Sequence, residues 1–246
     1  MKKVTVIGVG RLGICFALTL ERAGYEVLGV DVSPDYVKQI NTKELKSDEH
    51  GVEEYLQNSK NFRATVSLQE GIEHSDGLYV VVATPSLPDG RYDHSQLNAV
   101  VNQLATLRQT TTAQKHFVIC STTMPGYCDT AQERLSELGY IVSYNPEFIA
   151  QGTILRDQAR PDMVLIGEGS TSAGDILQEM YENMTVSEPT IHRMSRTEAE
   201  ITKIGLNCFL TTKIAYANMI GDIVTKAGGD PDVVLGAIGA DSRIGS

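Results

Sequence analysis

Val4-Thr5-Val6-Ile7-Gly8-Val9-Gly10-Arg11-Leu12-Gly13, residues 4–13, is the stretch that decides the fold. A short β-branched run enters a glycine turn without a break. An apolar helical pattern follows from Ile14 to Ala23, and a second apolar run, Tyr25 to Val30, ends on Asp31. A bare GxGxxG says little. Set between a strand and a helix, with an acid about 20 residues on, it is the dinucleotide-binding fingerprint. Gly8 allows the tight turn, Gly10 lets a pyrophosphate meet bare backbone, and Gly13 lets the helix lie close to the strand. Arg11 and Leu12 open the helix, whose free N–H groups and positive dipole end suit phosphate. Asp31 can accept from both ribose hydroxyls, and its charge opposes a 2′-phosphate, so NAD is expected rather than NADP.

Working outward, Ser33-Pro34 reads as a cap and first helical residue, opening a helix to about Asn41. A short helix is expected over Val52 to Asn58, a strand over Phe62 to Val66 and a short helix over Ser67 to His74. Leu78 to Ala83 is a continuous apolar run, as a strand covered on both faces should be. Residues 86–93 read as a loop, and Gln96 to Leu107 as a helix. His116 to Cys120 gives another strand, Asp129 to Leu138 a helix and Tyr140 to Tyr144 a strand. The alternation predicts a Rossmann-like, doubly wound parallel sheet. Ligands then bind beyond the carboxyl ends of the strands. The residues to inspect there are Thr84-Pro85, Ser121-Thr122 and Asn145-Pro146-Glu147. For Thr84 and Thr122 a capping role fits as well as a ligand role.

Asn145-Pro146-Glu147 suits the cap and first turn of a helix. If that helix continues, Gln151 lies on the face of Glu147. Pro161 to Gly167 adds a strand, Thr171 to Met184 a helix and Thr190 to Met194 a last strand. Ser195-Arg196-Thr197-Glu198 is a capping box. It opens a helical pattern to about Ala227, roughly 48 Å long. That length suits a spine and a dimer surface. Lys203 and Asn207 stand one turn apart on it, though a lysine on an apolar face can also snorkel. Pro231 to Ile238 starts a further helix. The expected division is a nucleotide domain over 1–194, then a central helix and partial helical dimerisation domain over 195–246.

Composition narrows the partners. The 246 residues are 41% hydrophobic and 21% charged, with net charge −10, ordinary for a globular protein and unsuited to nucleic acid. No apolar run is long enough for a membrane span, and no signal-peptide pattern opens the chain. Cys15, Cys120, Cys128 and Cys208 lack metal-ligand spacing and read as buried, reduced thiols of a cytoplasmic protein. No metal site is expected. The five histidines pair with no nucleophile motif and receive no catalytic role.

VTVIGVGRLG at 4–13 with Asp31, VVVATP at 80–85, CSTTMPG at 120–126, NPEFIAQG at 145–152, PDMVLIGE at 161–168, AEITKIGLNCF at 199–209 and IGADSRIG at 238–245 together resemble the UDP-glucose/GDP-mannose dehydrogenase family. The resemblance covers the whole chain. It implies NAD as cofactor and a four-electron oxidation of a nucleotide-sugar C6 alcohol, such as that of UDP-glucose, to the carboxylate. It also implies a homodimer and a place in polysaccharide biosynthesis. In that family a cysteine thiolate captures the aldehyde, and a thioester is later hydrolysed. By resemblance Glu147 serves as base or water-orienting group, Lys203 stabilises the oxyanion, and Asn207 holds substrate or water. Thr122 touches the reacting region and the cofactor. Phe148, Ile149 and Ala150 lend backbone contacts to the nucleotide sugar, Thr84, Pro85 and Gln151 border the cofactor, and Arg243 reaches the partner's substrate. Two departures stand out. The family's nucleophilic cysteine lies in a glycine-rich segment after DxRIG, where this sequence stops, and none of its four cysteines occupies that place. Gln151 replaces a glutamate common in the family. The resulting expectation is a cofactor-binding part that does not complete the reaction alone. Two other readings share the glycine turn: a 6-phosphogluconate or β-hydroxyacid dehydrogenase type, and a non-catalytic NAD-binding module.

Overall fold

The computed structural model describes residues 2–107, 114–150 and 152–244. The elements are β1 (Lys3–Ile7), α1 (Arg11–Arg22), β2 (Glu26–Val30), α2 (Pro34–Asn41), α3 (Val52–Asn58), β3 (Phe62–Thr65), α4 (Leu68–His74), β4 (Gly77–Val80), α5 (Ser95–Leu107), β5 (Lys115–Ile119), α6 (Tyr127–Leu135), β6 (Tyr140–Tyr144), α7 (Ile154–Ala159), β7 (Met163–Glu168), α8 (Thr171–Met184), β8 (Thr190–Ser195), α9 (Arg196–Lys226) and α10 (Pro231–Gly239). A turn of 3₁₀ helix, Ser136–Leu138, extends α6. Two compact units emerge, Met1–Ile201 and Thr202–Ser246.

The first unit is an eight-stranded sheet in the order β3-β2-β1-β4-β5-β6-β7-β8. Successive side chains of a strand point to opposite faces, and both faces here are covered. Val4, Val6, Tyr79 and Val118 enter one core, with Phe16, Leu18 and Leu20 of α1 and Leu177 and Met180 of α8. Ile7, Leu78, Val80, Phe117, Ile119, Val142 and Tyr144 enter the other, with residues of α5 and α6. This double burial explains the uninterrupted apolar runs. α1 is buried continuously from Gly13 to Leu20, as a helix apolar around most of its circumference must be.

The all-parallel expectation needs a correction at one edge. β1 through β6 are parallel, but β7 meets β6 antiparallel through one pair, Tyr144 with Gly167. β8 is parallel to β7 over six pairs. Among the described residues, the connection from Tyr144 to Met163 carries only the short helix α7, and the single pair of Tyr144 with Gly167 is the whole ladder between β6 and β7. The strand expected over Leu78 to Ala83 is also shorter and ends at Val80. Val82 leaves the ladder because Ser121 takes its backbone: the hydroxyl accepts from Val82 N at 3.0 Å and donates to Val82 O at 2.7 Å.

Local cap chemistry behaves as the sequence indicates. Ser33 accepts from Tyr36 N at the start of α2. At the start of α9, Ser195 Oγ accepts from Glu198 N at 3.3 Å while Glu198 Oε2 accepts from Ser195 N at 2.9 Å, a closed capping box. No described helix is long and apolar enough to cross a membrane.

The glycine turn carries the tightest packing. A Cβ on Gly13 would lie 1.9 Å from Gly8 O, and one on Gly8 would lie 2.6 Å from Val81 O. Gly13→Ala therefore forces α1 off β1 and costs at least about 3 kcal/mol. Chemical denaturation of the purified variant checks this; a wild-type midpoint would contradict it.

Candidate functional site

The carboxyl ends of β1, β2, β4, β5 and β6 bring the inspected loops to one edge of the sheet. After β1, Gly8 turns with φ +86° and donates its N–H to Val30 O at 2.8 Å. Gly10 precedes α1 and offers no side-chain cap. A Cβ there would meet nothing within 4 Å. With no capping side chain at Gly10 and open space where its Cβ would stand, a pyrophosphate has room to approach the helix start. Arg11 is exposed, Leu12 half-buried and Gly13 buried.

Asp31 stands at the tip of β2. Its Oδ2 accepts from Val9 N at 3.2 Å and its Oδ1 from Ser33 N at 3.1 Å. Two backbone bonds fix the carboxylate beside the glycine turn. Lone pairs remain for ribose hydroxyls, since each carboxylate oxygen accepts more than one bond. The donor set fits a dinucleotide.

Thr84 is half-buried and Pro85 exposed on the loop after β4, where Pro85 O accepts from Asp93 N at 2.8 Å. Thr122 is half-buried on the loop after β5. That loop is held from two sides. His94 Nε2 accepts from Met124 N at 3.3 Å, with its ring 4.4 Å from that of Tyr127. Burial lowers the His94 pKa, which keeps the ring in the neutral form this acceptor role needs. From α9, buried Glu200 accepts from Thr123 Oγ1 at 2.9 Å, Cys128 N at 2.9 Å and Gly126 N at 2.6 Å. Its carboxylate caps α6, whose preceding Gly126 has no side chain to do so, and the helix dipole favours the charge.

After β6 the expected helix at Asn145 does not form; residues 145–150 are irregular and the next helix begins at Ile154. Asn145 is not a cap. It is buried, donating Nδ2–H to Leu165 O at 3.0 Å and accepting from Tyr181 OH at 2.9 Å. Two distant partners outweigh a local capping signal worth about 1 kcal/mol. Glu147, Phe148 and Ile149 are half-buried and Ala150 is exposed. Phe148 packs on one core and Ile149 on the other, so their backbones are what this turn presents. Gln151 lies outside the described residues.

In the second unit Lys203 is buried and Asn207 half-buried, one turn apart on α9. Arg243 is exposed and forks onto Asp241, with Nε 3.0 Å from Oδ1 and Nη2 2.7 Å from Oδ2.

The three buried thiols give no activated nucleophile. Burial, then the carboxylates of Glu49 and Glu147, push Cys15 up to about 12. Burial raises Cys120 and Cys128 well above the usual thiol range. The expectation that all four are buried is corrected at Cys208, which is exposed on α9. Sequence reading also missed Glu200 and Glu49. Glu49, 3% exposed, accepts from Gly152 N through both oxygens. Neither acid stands in a local motif that announces a partner so far along the chain.

Glu200→Ala removes the carboxylate that three donors share. Unsatisfied buried groups cost about 1–3 kcal/mol each, so the loss of stability is expected to reach about 3 kcal/mol or more. Glu200→Gln, retaining one carbonyl oxygen, should lose less. Urea titration of the two variants checks both the size and the order.

Comparison with known proteins agrees with this geometry. The profile of the UDP-glucose/GDP-mannose dehydrogenase family NAD-binding domain matches residues 2–185, and that of the family's central domain matches residues 197–246. UDP-glucose 6-dehydrogenase of Pseudomonas aeruginosa is 31% identical, covering 99% of this chain and 56% of its own length. GDP-mannose 6-dehydrogenase of Pseudomonas putida is 30% identical, covering 97% of this chain and 56% of its own. The solved structure of a UDP-glucose dehydrogenase from Pyrobaculum islandicum superposes with a TM-score of 0.92 at 30% identity, over 100% of this chain and 58% of that one. The chain thus spans about half the length of the curated relatives it matches. With both of its segments matched and an NAD-binding glycine turn at its head, the chain belongs to the UDP-glucose/GDP-mannose dehydrogenase family.

Proposed function

We propose that this chain is the cofactor-binding part of an NAD-dependent nucleotide-sugar 6-dehydrogenase, with UDP-glucose as the sugar nucleotide. The observation that carries the reading is the helix start at Gly10, which has no side-chain cap, beside the fixed carboxylate of Asp31. Gly8, Gly10, Arg11, Leu12 and Gly13 would cradle the pyrophosphate, with Asp31 on the ribose and Thr84, Pro85, Thr122 and Gln151 along the rest of the cofactor. NAD supplies a hydride acceptor for C6. Glu147 holds or activates the water that releases the product. Lys203 sets positive charge where an oxyanion develops, and Asn207 orients substrate or water. The backbone of Phe148, Ile149 and Ala150 meets the nucleotide sugar, and Arg243 serves a neighbouring subunit. We place the division between the two family domains at 194/195, a boundary of sequence rather than of packing, since the compact first unit runs to Ile201, with the helical part as a homodimer surface. Phe209, Tyr216, Met219 and Ile223 fall on one side of α9 and are each exposed, an apolar stripe of the kind that pairs helices. A cytoplasmic place in polysaccharide biosynthesis follows from the same reading.

Binding calorimetry tests the cofactor half. NAD is expected to bind at least about tenfold more tightly than NADP, because a phosphate beside Asp31 meets like charge. Asp31→Ala should narrow that ratio. Equal affinities in the wild-type chain would sink the assignment.

The chemistry has a separate test. Cys15, Cys120 and Cys128 are buried as protonated thiols, and thiols are poor nucleophiles compared with thiolates. Incubated with saturating UDP-glucose and NAD, the 246-residue chain is expected to form no carboxylate product. Two NADH per sugar, read at the nicotinamide absorbance, would overturn this.

A further inference from the structure

Residues 145–150 and Gly152 are held at three places. Asn145 anchors the start through Leu165 O and Tyr181 OH. Asp157 Oδ2 accepts from Ala150 N at 3.1 Å. Gly152 N lies 3.0 and 2.9 Å from the two oxygens of Glu49. Glu49 comes from the segment between α2 and α3, 103 residues away in the chain. Its side chain is 1% exposed, and its Oε1 lies 3.9 Å from Arg11 Nε. Arg11 is the first residue of α1. One buried carboxylate therefore touches both Gly152 and the first residue of the cofactor helix.

A buried carboxylate is costly unless it is bonded. Here the Gly152 amide and the Arg11 charge offset that cost together. Gly152 has φ +90°, a conformation that glycine alone adopts freely. The chain can thus present its N–H to Glu49 and then pass through Thr153 into α7. We propose that Glu49 is a positioning residue that locks the Glu147–Ala150 turn to the N-terminal end of α1 and so sets the nucleotide-sugar side of the site relative to the cofactor side. This rests on the reading of Phe148, Ile149 and Ala150 as sugar-nucleotide contacts.

The test uses Glu49→Ala and Glu49→Gln in the 246-residue chain. Three quantities are measured: amide exchange at Gly152 by NMR, affinity for NAD, and affinity for UDP-glucose with NAD present. Alanine removes the acceptor, so Gly152 exchange should speed up about tenfold or more. UDP-glucose should weaken by a similar factor while NAD stays within about threefold. Glutamine keeps one acceptor and should restore both exchange and sugar-nucleotide affinity to near wild type. General destabilisation would weaken NAD and UDP-glucose together, and that outcome counts against the proposal. Unchanged Gly152 exchange in the alanine variant overturns it, as does failure of glutamine to rescue. Should the alanine variant not fold, with β1 amides unprotected, Glu49→Gln decides alone: near-wild-type exchange and UDP-glucose affinity support the lock, and loss of either overturns it. Should the wild-type chain bind no UDP-glucose, the substrate reading falls, while Gly152 exchange still judges the lock.

Discussion

The contact between Gly13 and the carbonyl of Gly8 constrains everything built on β1. Only a hydrogen fits between helix and turn there, since a Cβ would stand 1.9 Å from the oxygen. Held so close, α1 can bury an unbroken stretch of its length against the sheet. That burial draws the flanking helices α3, α7 and α8 against α1. The same closeness aims the helix N-terminus across the turn rather than into the core. Packing and the phosphate recognition proposed for this turn therefore depend on one missing methyl group.

Much of this was legible because it is local. β1, β4 and β5 stand out as short, nearly continuous apolar runs, as strands covered on both faces must, and the caps at Ser33 and Ser195 act within three residues. What escaped reading depends on distant partners. Asn145-Pro146 carries the letters of a helix start, but Tyr181, 36 residues on, and Leu165 claim the asparagine. The apolar run through Val82 reads as strand, but Ser121 takes its backbone groups. The reversal of β7 leaves no mark in hydrophobicity, because a strand buried on both faces reads the same in either direction. Among the proposed site residues, the glycine turn and Asp31 were readable from spacing, whereas Glu147 and Lys203 were distinguishable from ordinary polar residues only through resemblance.

Three carboxylates share one manner of use. Asp31 accepts from Val9 and Ser33 amides, Glu49 from Gly152, and Glu200 from Gly126 and Cys128. Each holds a loop that follows the carboxyl end of a strand, and each does so mainly through backbone N–H groups. Charged acceptors make stronger bonds to amides than neutral ones, which suits loops that have no ladder of their own. Part of the chain's acidity is thus internal scaffolding. The loops it secures are those that the proposed chemistry needs to stay still.

The position of Glu200 has a consequence for how such a protein can be divided. Its carboxylate belongs to α9, beyond the last strand, yet it completes the first turn of α6 and fixes Thr123. The compact first unit accordingly runs to Ile201. A fragment cut at the junction of β8 and α9 would keep every strand of the sheet and still lose an internal anchor of the loop bearing Thr122. For anyone grafting or recombining nucleotide-binding modules, the useful seam lies inside a continuous helix, after its second turn, where neither strand boundaries nor glycine signals would suggest a cut.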